Sequence, residues 1–347
     1  MLRIRPFMIV AVLFTVLWPC SVSALAQQKG AAPKQDSKKT ADKKTGDKGT
    51  TTTDPKKAAT TNSSKDGVHE LTLTAGDGWQ LAATYFESTS GGKESPCVIL
   101  LTSTEGSDKK DARNRRVWQP TALTLQKAGF AVITVDLRKH GDSIPILPSG
   151  EAATLKMGNA DYPLMATADL EAVKSFLVEQ HRAEKLNIRK LAIVSMGASS
   201  MVAATYAIAD WEKSPYPDAP TLDARTPRGQ DVQSLIMYSP TTNVRGIVST
   251  NILKTLKALP ISIYIVAAKD EKEDAKQAEK LFKAIELKGD QYKDSRKMTL
   301  SGGTTHAEAY LEGKLADVTN KDLMEFLTKN VKELDAPWRD RTDRRTK

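Results

Sequence analysis

The chain has 347 residues, of which 27% are charged and 6% aromatic, with 51 Lys and Arg against 42 Asp and Glu for a net charge of +9. That excess sits at the ends: two arginines in residues 1–26, ten lysines against five aspartates in 27–66, and five basic against two acidic residues in 336–347, leaving −1 between them. A folded nucleic-acid-binding face is therefore not implied.

Residues 1–26 read as a secretory leader: Arg3 and Arg5 precede a short apolar run from Phe7 to Leu17, and Ala24-Leu25-Ala26 offers a cleavage site before Gln27. The run is too short for a comfortable membrane span. Export to the periplasm or the extracellular space is expected, with an uncleaved signal anchor as the alternative. Lipidation at Cys20 is disfavoured by the bulky Leu17-Trp18-Pro19 before it. After cleavage only Cys97 remains, within the apolar Cys97–Leu101, so the mature chain has no disulfide and the thiol reads as a small buried hydrophobe. Residues 27–66, rich in Lys and Thr and nearly devoid of large apolar residues, cannot bury enough surface to offset their ordering entropy and read as a disordered linker. Weak contact of its lysines with anionic cell-envelope polymer is the functional alternative to a solvated spacer.

From residue 67 the pattern changes. Val68–Thr74 and Trp79–Phe86 alternate around Ala75-Gly-Asp-Gly78, predicting an antiparallel hairpin. Apolar strands are expected at 97–101, 131–136, 190–194, 233–238, 261–267 and 297–300, and helices at about 118–128, 166–180, 199–209, 274–287 and 316–333. Such alternation implies α/β architecture, a mainly parallel sheet covered on both faces. Residues 211–230, with four prolines, read as a surface insertion, and the basic residues 336–347 as a disordered tail. Nothing resembles a phosphate-binding glycine loop or a Rossmann fingerprint, and neither His69 nor His181 has a partner at metal-ligand spacing. No cofactor and no metal is expected.

Between Val98 and Ser143 a strand leads to the loop Thr102-Ser-Thr-Glu-Gly106, a helix closes at Gly129-Phe130, and a second strand ends in Asp136-Leu-Arg-Lys-His-Gly-Asp-Ser143. The last string is similar to the D-x-R-G-H-G-x-S loop of α/β-hydrolases, and the resemblance extends over essentially residues 68–334. It implies an α/β-hydrolase fold with an N-terminal antiparallel hairpin and helices on both faces. It also implies a nucleophile elbow, G-x-S-x-G, where a buried strand turns sharply into a helix. Leu191-Ala-Ile-Val-Ser195-Met-Gly197-Ala-Ser199-Ser200 is that stretch, and it fits in two registers. Ser195 as nucleophile puts Ile193 at the first glycine and draws Lys190 into the strand. Gly197 at the nucleophile position keeps Leu191–Val194 as one apolar strand and fills each crowded position with a small residue. The second register is preferred because it alone agrees with the burial pattern, and a glycine accepts the elbow's positive φ without strain.

By family order the acid follows the strand 261–267, where Asp270 stands with Glu271 as fallback, and the histidine follows the last strand, where Ser301-Gly-Gly-Thr-Thr-His306 supplies it. An Asp270–His306 pair would orient the imidazole as a base. The oxyanion donors would be the backbone amides of Ser103 or Thr104 and of Ala198, although Thr102-Ser103 replaces the family's usual His-Gly. Arg138 and His140 read as structural. Two functions follow. One is an exported, non-catalytic protein of this fold, binding a small molecule or a protein in the ancestral cleft. The other is a serine hydrolase of the esterase, lipase or dienelactone-hydrolase kind, using Ser195, Asp270 and His306.

Overall fold

The computed structural model describes residues 60–63, 66–104, 114–151 and 153–346. The expected leader and most of the expected linker lie outside these residues.

Among the described residues nine strands form one sheet: β1 (Thr60–Ser63), β2 (Val68–Thr74), β3 (Gln80–Phe86), β4 (Cys97–Leu101), β5 (Ala131–Val135), β6 (Leu191–Met196), β7 (Val232–Tyr238), β8 (Ser262–Ala268) and β9 (Arg296–Ser301), in the order β1-β2-β3-β5-β4-β6-β7-β8-β9. β1, β2, β3 and β5 pair antiparallel, and all pairings from β5 through β4 to β9 are parallel. Chain order reverses at β4, which lies between β5 and β6. In open α/β sheets the crevice at the carboxyl ends of the strands flanking such a reversal is where ligands bind.

The sheet is sandwiched by helices because its central strands are mostly apolar and buried on both faces, with successive side chains on opposite faces. Cys97, Ile99 and Leu101 of β4 join Leu191 and Ile193 of β6 in one core, while Val98 and Leu100 join Ala192, Val194 and Met196 in the other. The first core packs α3 (Leu170–Arg182), α4 (Ser199–Trp211), α5 (Ser249–Ala258) and α6 (Lys272–Ile285). The second packs α1 (Gln119–Lys127) and α7 (Gly313–Leu327) through Trp118, Leu125, Leu323 and Phe326. A short α2 (Asp161–Leu164) runs through a π turn into α3. The loop after β5 is structural, as read. Arg138 donates to Asp169 at 2.6 Å and to Asp77 at 2.7 Å, His140 Nδ1 lies 2.8 Å from the Arg138 carbonyl, and Asp136 binds the buried Arg115 at 2.7 Å.

Three expectations change. Thr60–Ser63, expected within the disordered linker, pairs with β2: an edge strand needs only backbone donors and acceptors, which Thr and Asn supply as well as apolar residues do. α5 had no expected counterpart, since Ile252, Leu253 and Leu256 are a thin apolar face. The third change concerns residues 336–346, expected to be a disordered tail, which pack back onto the domain. Trp338 stacks on His181 at 4.9 Å and donates to the His181 carbonyl at 3.1 Å. Arg341 is buried and paired with Asp231, which Lys174 also binds, and Lys174 in turn pairs with Asp210. Of the charges in this segment Arg341 and Asp343 are buried, while Arg339, Arg344 and Arg345 stay exposed.

His181 Nε2 faces the Arg339 carbonyl at 2.9 Å, and Nδ1 lies 3.1 Å from the Leu186 carbonyl and 3.2 Å from the Ile188 amide, so backbone groups hold the buried ring at both nitrogens. Burial holds its pKa below the usual histidine value. A histidine depressed in the folded state contributes its full stability above the unfolded pKa, about 6.5, and that contribution is lost as pH falls below it toward the folded value. Thermal melts are therefore expected to fall from pH 8 to pH 5 more steeply in the wild type than in His181→Gln. Arg341→Ala should lower stability, measured by urea unfolding at pH 8, toward the low end of the roughly 3–5 kcal/mol that breaking a buried pair costs, because Lys174 still faces Asp231.

Candidate active site

Five loops meet at the carboxyl edge of the parallel strands: Thr102–Thr104 after β4, Gly197–Ala198 after β6, Ser239–Thr242 after β7, Lys269–Glu271 after β8 and Gly302–His306 after β9. The elbow is the tightest. β6 runs on through Ser195 and Met196, Gly197 turns at φ +55°, and α4 starts at Ser199 with Ala198 as its N-cap. The bend is locked from both sides, because the Gly197 amide donates to the Tyr238 carbonyl at 3.0 Å and its carbonyl accepts from the Thr241 amide at 3.2 Å.

Ser195 stands two residues before the bend and is fully buried. Its hydroxyl donates to the Ile236 carbonyl of neighbouring β7 at 3.2 Å and lies 3.3 Å from Ser200 Oγ. Leu191 and Ile193, which precede it at intervals of two, face the core under α3 and α4, and Ser195 continues that row. Ser199 is also buried and caps the bend, donating to the Met196 carbonyl at 2.7 Å and accepting from the Met196 amide at 3.1 Å. The position with positive φ, where an elbow serine would be displayed, is occupied by Gly197.

His306 does not meet Asp270. Its Nδ1 lies 2.7 Å from Asp274 Oδ2, in the first turn of α6. A carboxylate only accepts, so Nδ1 carries the proton, and in the neutral ring Nε2 has the basic lone pair. The imidazole is about half exposed and the Asp274 carboxylate 11% exposed, so the pair has one buried and one open end. Asp270 is exposed and binds the loop instead: its carboxylate accepts from the Gly303 amide at 2.8 Å, while its own amide donates to the Gly303 carbonyl at 3.1 Å. Glu271 is the N-cap residue of α6 without a side-chain cap bond. The helix starts at Lys272, two residues earlier than expected, which turns Asp274 toward the cleft. A further clamp comes from Ser239, at φ +46°, whose hydroxyl accepts from the Ala307 amide at 3.1 Å.

Of the expected oxyanion donors, the buried Ser103 amide points into the cleft, and it is already engaged. It donates to the carboxylate of Glu308, two residues beyond His306, at 2.7 Å. The Thr104 carbonyl accepts from the Tyr162 hydroxyl at 3.0 Å, and Ala198 lies at the bend beside Gly197. Sequence reading missed Asp274 and Glu308. Two signals were available: an acidic residue in the first turn of a helix following a strand, and an acid two residues after the loop histidine. Among the described residues no group of three or more His, Cys, Asp or Glu side chains is placed to hold a metal ion. A polar cavity of about 230 Å³, lined by Lys174, Arg228, Asp231 and Arg341 among others, lies where β7 begins, away from the strands' carboxyl edge, and shares no residue with the cleft.

Solved structures of similar fold exist. A carboxyl esterase from Bacillus coagulans superposes with a TM-score of 0.53 at 13% identity, covering 76% of this chain and 99% of that one. The chain has the α/β-hydrolase fold. Esterase 2 of Thermogutta terrifontis matches it with a TM-score of 0.51 at 13% identity, covering 76% of this chain and 94% of that one. No protein-family model matches the sequence, and no curated protein does. Within the α/β-hydrolase fold, then, this cleft combines a histidine–carboxylate pair, a glycine at the bend and a carboxylate on the Ser103 amide.

The two aspartates are separable by hydrogen exchange. Asp270→Ala removes a charged acceptor from the Gly303 amide, a bond of about 1.5–3 kcal/mol at most for an exposed group, so exchange at Gly303 should accelerate about tenfold. The Ala307 amide, bonded to Ser239, should be unchanged in that variant.

Proposed function

We propose that this chain is an exported, non-catalytic protein of α/β-hydrolase fold whose cleft binds a small molecule or a protein. One observation carries the reading: at the bend after β6, the residue with φ +55° is Gly197, which brings no oxygen to the cleft, while the Ser195 hydroxyl is buried against the Ile236 carbonyl. Acyl transfer in a serine hydrolase needs an oxygen at that point to form the covalent intermediate. Losing it costs on the order of 10⁶-fold in turnover. His306 and Asp274 could still polarise a ligand or a water, but without a nucleophile they have no acyl group to transfer. The leader read in residues 1–26 supports export, and the lysine-rich stretch that follows is a solvated spacer, with weak contact of its lysines with anionic envelope polymer as the alternative.

The second reading, a serine hydrolase acting on ester bonds through Ser195, is favoured by the His306–Asp274 pair, which has the form of a working general base. It requires the Ser195 hydroxyl to leave the β7 carbonyl and reach the cleft past the bend. An organophosphorus reagent discriminates the two, and an esterase of this fold has been solved phosphoramylated by tabun. A fluorophosphonate probe should leave the purified wild type unlabelled by intact mass. Labelling that disappears in Ser195→Ala would overturn the proposal in favour of the hydrolase. Gly197→Ser puts a hydroxyl at the bend, and we expect it to lower stability by about 1–3 kcal/mol, the usual cost of a non-glycine residue held at positive φ, and to gain the label that the wild type lacks.

A further inference from the structure

The Ser103 amide lies where the loop after β4 meets the elbow after β6, the point at which this fold offers its first oxyanion donor. Its partner is a full carboxylate from the same chain, Glu308, at 2.7 Å. A carboxylate accepts from an N–H about twice as strongly as a neutral carbonyl does. An ester or amide oxygen therefore competes poorly for this donor, and only another anionic oxygen exchanges with Glu308 on even terms. Glu308 is suited to exchange. It is half-buried rather than enclosed, it sits on the short turn Ala307–Leu311, and its side chain can swing into water, where its charge is solvated. Ser103 itself is buried, so its donor must always be satisfied by something. The half-exposed His306, with its Nδ1 proton held by Asp274, precedes Glu308 by two residues on the same loop.

We propose that the Ser103 amide anchors a carboxylate-binding subsite, that Glu308 is its tethered occupant in the free protein, and that the ligand of the cleft carries a carboxylate that takes Glu308's place. The inference rests on the reading of the cleft as a binding site, and not on whether turnover has been lost. The ligand class is a small organic acid, or a molecule ending in one, with one carboxylate oxygen on the Ser103 amide. Neutral esters and amides of the same shape are excluded by the strength of the internal competitor.

The test is a titration of the full-length, ¹⁵N-labelled protein with sodium acetate, and separately with acetamide, at constant ionic strength, following the Ser103 amide resonance. In Glu308→Ala the resonance should move saturably with acetate, with a Kd at least tenfold below that of the wild type, and should not respond to acetamide. Glu308→Gln keeps the side chain's size and offers a weaker, neutral acceptor, so its Kd should fall between the two; this variant carries the comparison if the alanine variant does not fold. Equal Kd values in all three proteins, or an acetate response that bypasses Ser103, would overturn the proposal. That outcome is separate from fluorophosphonate labelling, which would refute the non-catalytic reading and leave the subsite intact.

Discussion

The cleft depends on a parity. β6 is buried on both faces, so its side chains alternate strictly between two apolar cores, and a slip of one residue would send Leu191 and Ile193 to the wrong side. With that alternation fixed, Ser195 belongs to the row under α4, Met196 to the opposite row, and the strand ends only when Gly197 turns the chain at positive φ. Which atom the bend displays is thus set by the hydrophobic packing of a strand rather than by the residues of the cleft. The two locking bonds of Gly197 to Tyr238 and Thr241 hold the elbow to the end of β7, so the turn and the sheet are one rigid unit.

Around that fixed point the other loops are held mostly by carboxylates and hydroxyls acting on backbone amides. Asp270 holds Gly303, Ser239 holds Ala307 and Glu308 reaches across to Ser103, so a Gly-rich segment is clamped at successive points between β9 and α7. The clamp presents the imidazole of His306 with its orientation set by Asp274, and it also occupies the Ser103 amide with the carboxylate of Glu308.

Much of this was legible in the sequence because it is written in periodicity. The six parallel strands each lie within two residues of their expected limits, and all but β9 are largely apolar runs bounded by turn residues. Pairings made across the fold left weaker traces. Asp270 and Asp274 are both acidic and four residues apart, and the choice between them turned on where α6 begins, two residues earlier than its apolar pattern suggested. The Glu308–Ser103 bond spans 205 residues and has no local signature. Residues 336–346 looked like solvated charge because their anchoring depends on Asp231, Lys174 and His181, whose burial only the tertiary structure creates. Trp338, alone among charged neighbours, was the one hint that this segment had a surface to cover.

On the reading proposed above, the bend after β6 offers no nucleophile to the histidine beside it. The most direct measurement is the turnover of p-nitrophenyl acetate and butyrate by the purified protein beside its His306→Ala and Ser195→Ala variants, over pH 6 to 9. One slow rate common to all three proteins, set by the reagent and the buffer, is expected. A wild-type rate that rises with pH, saturates with substrate and vanishes in both variants would contradict it.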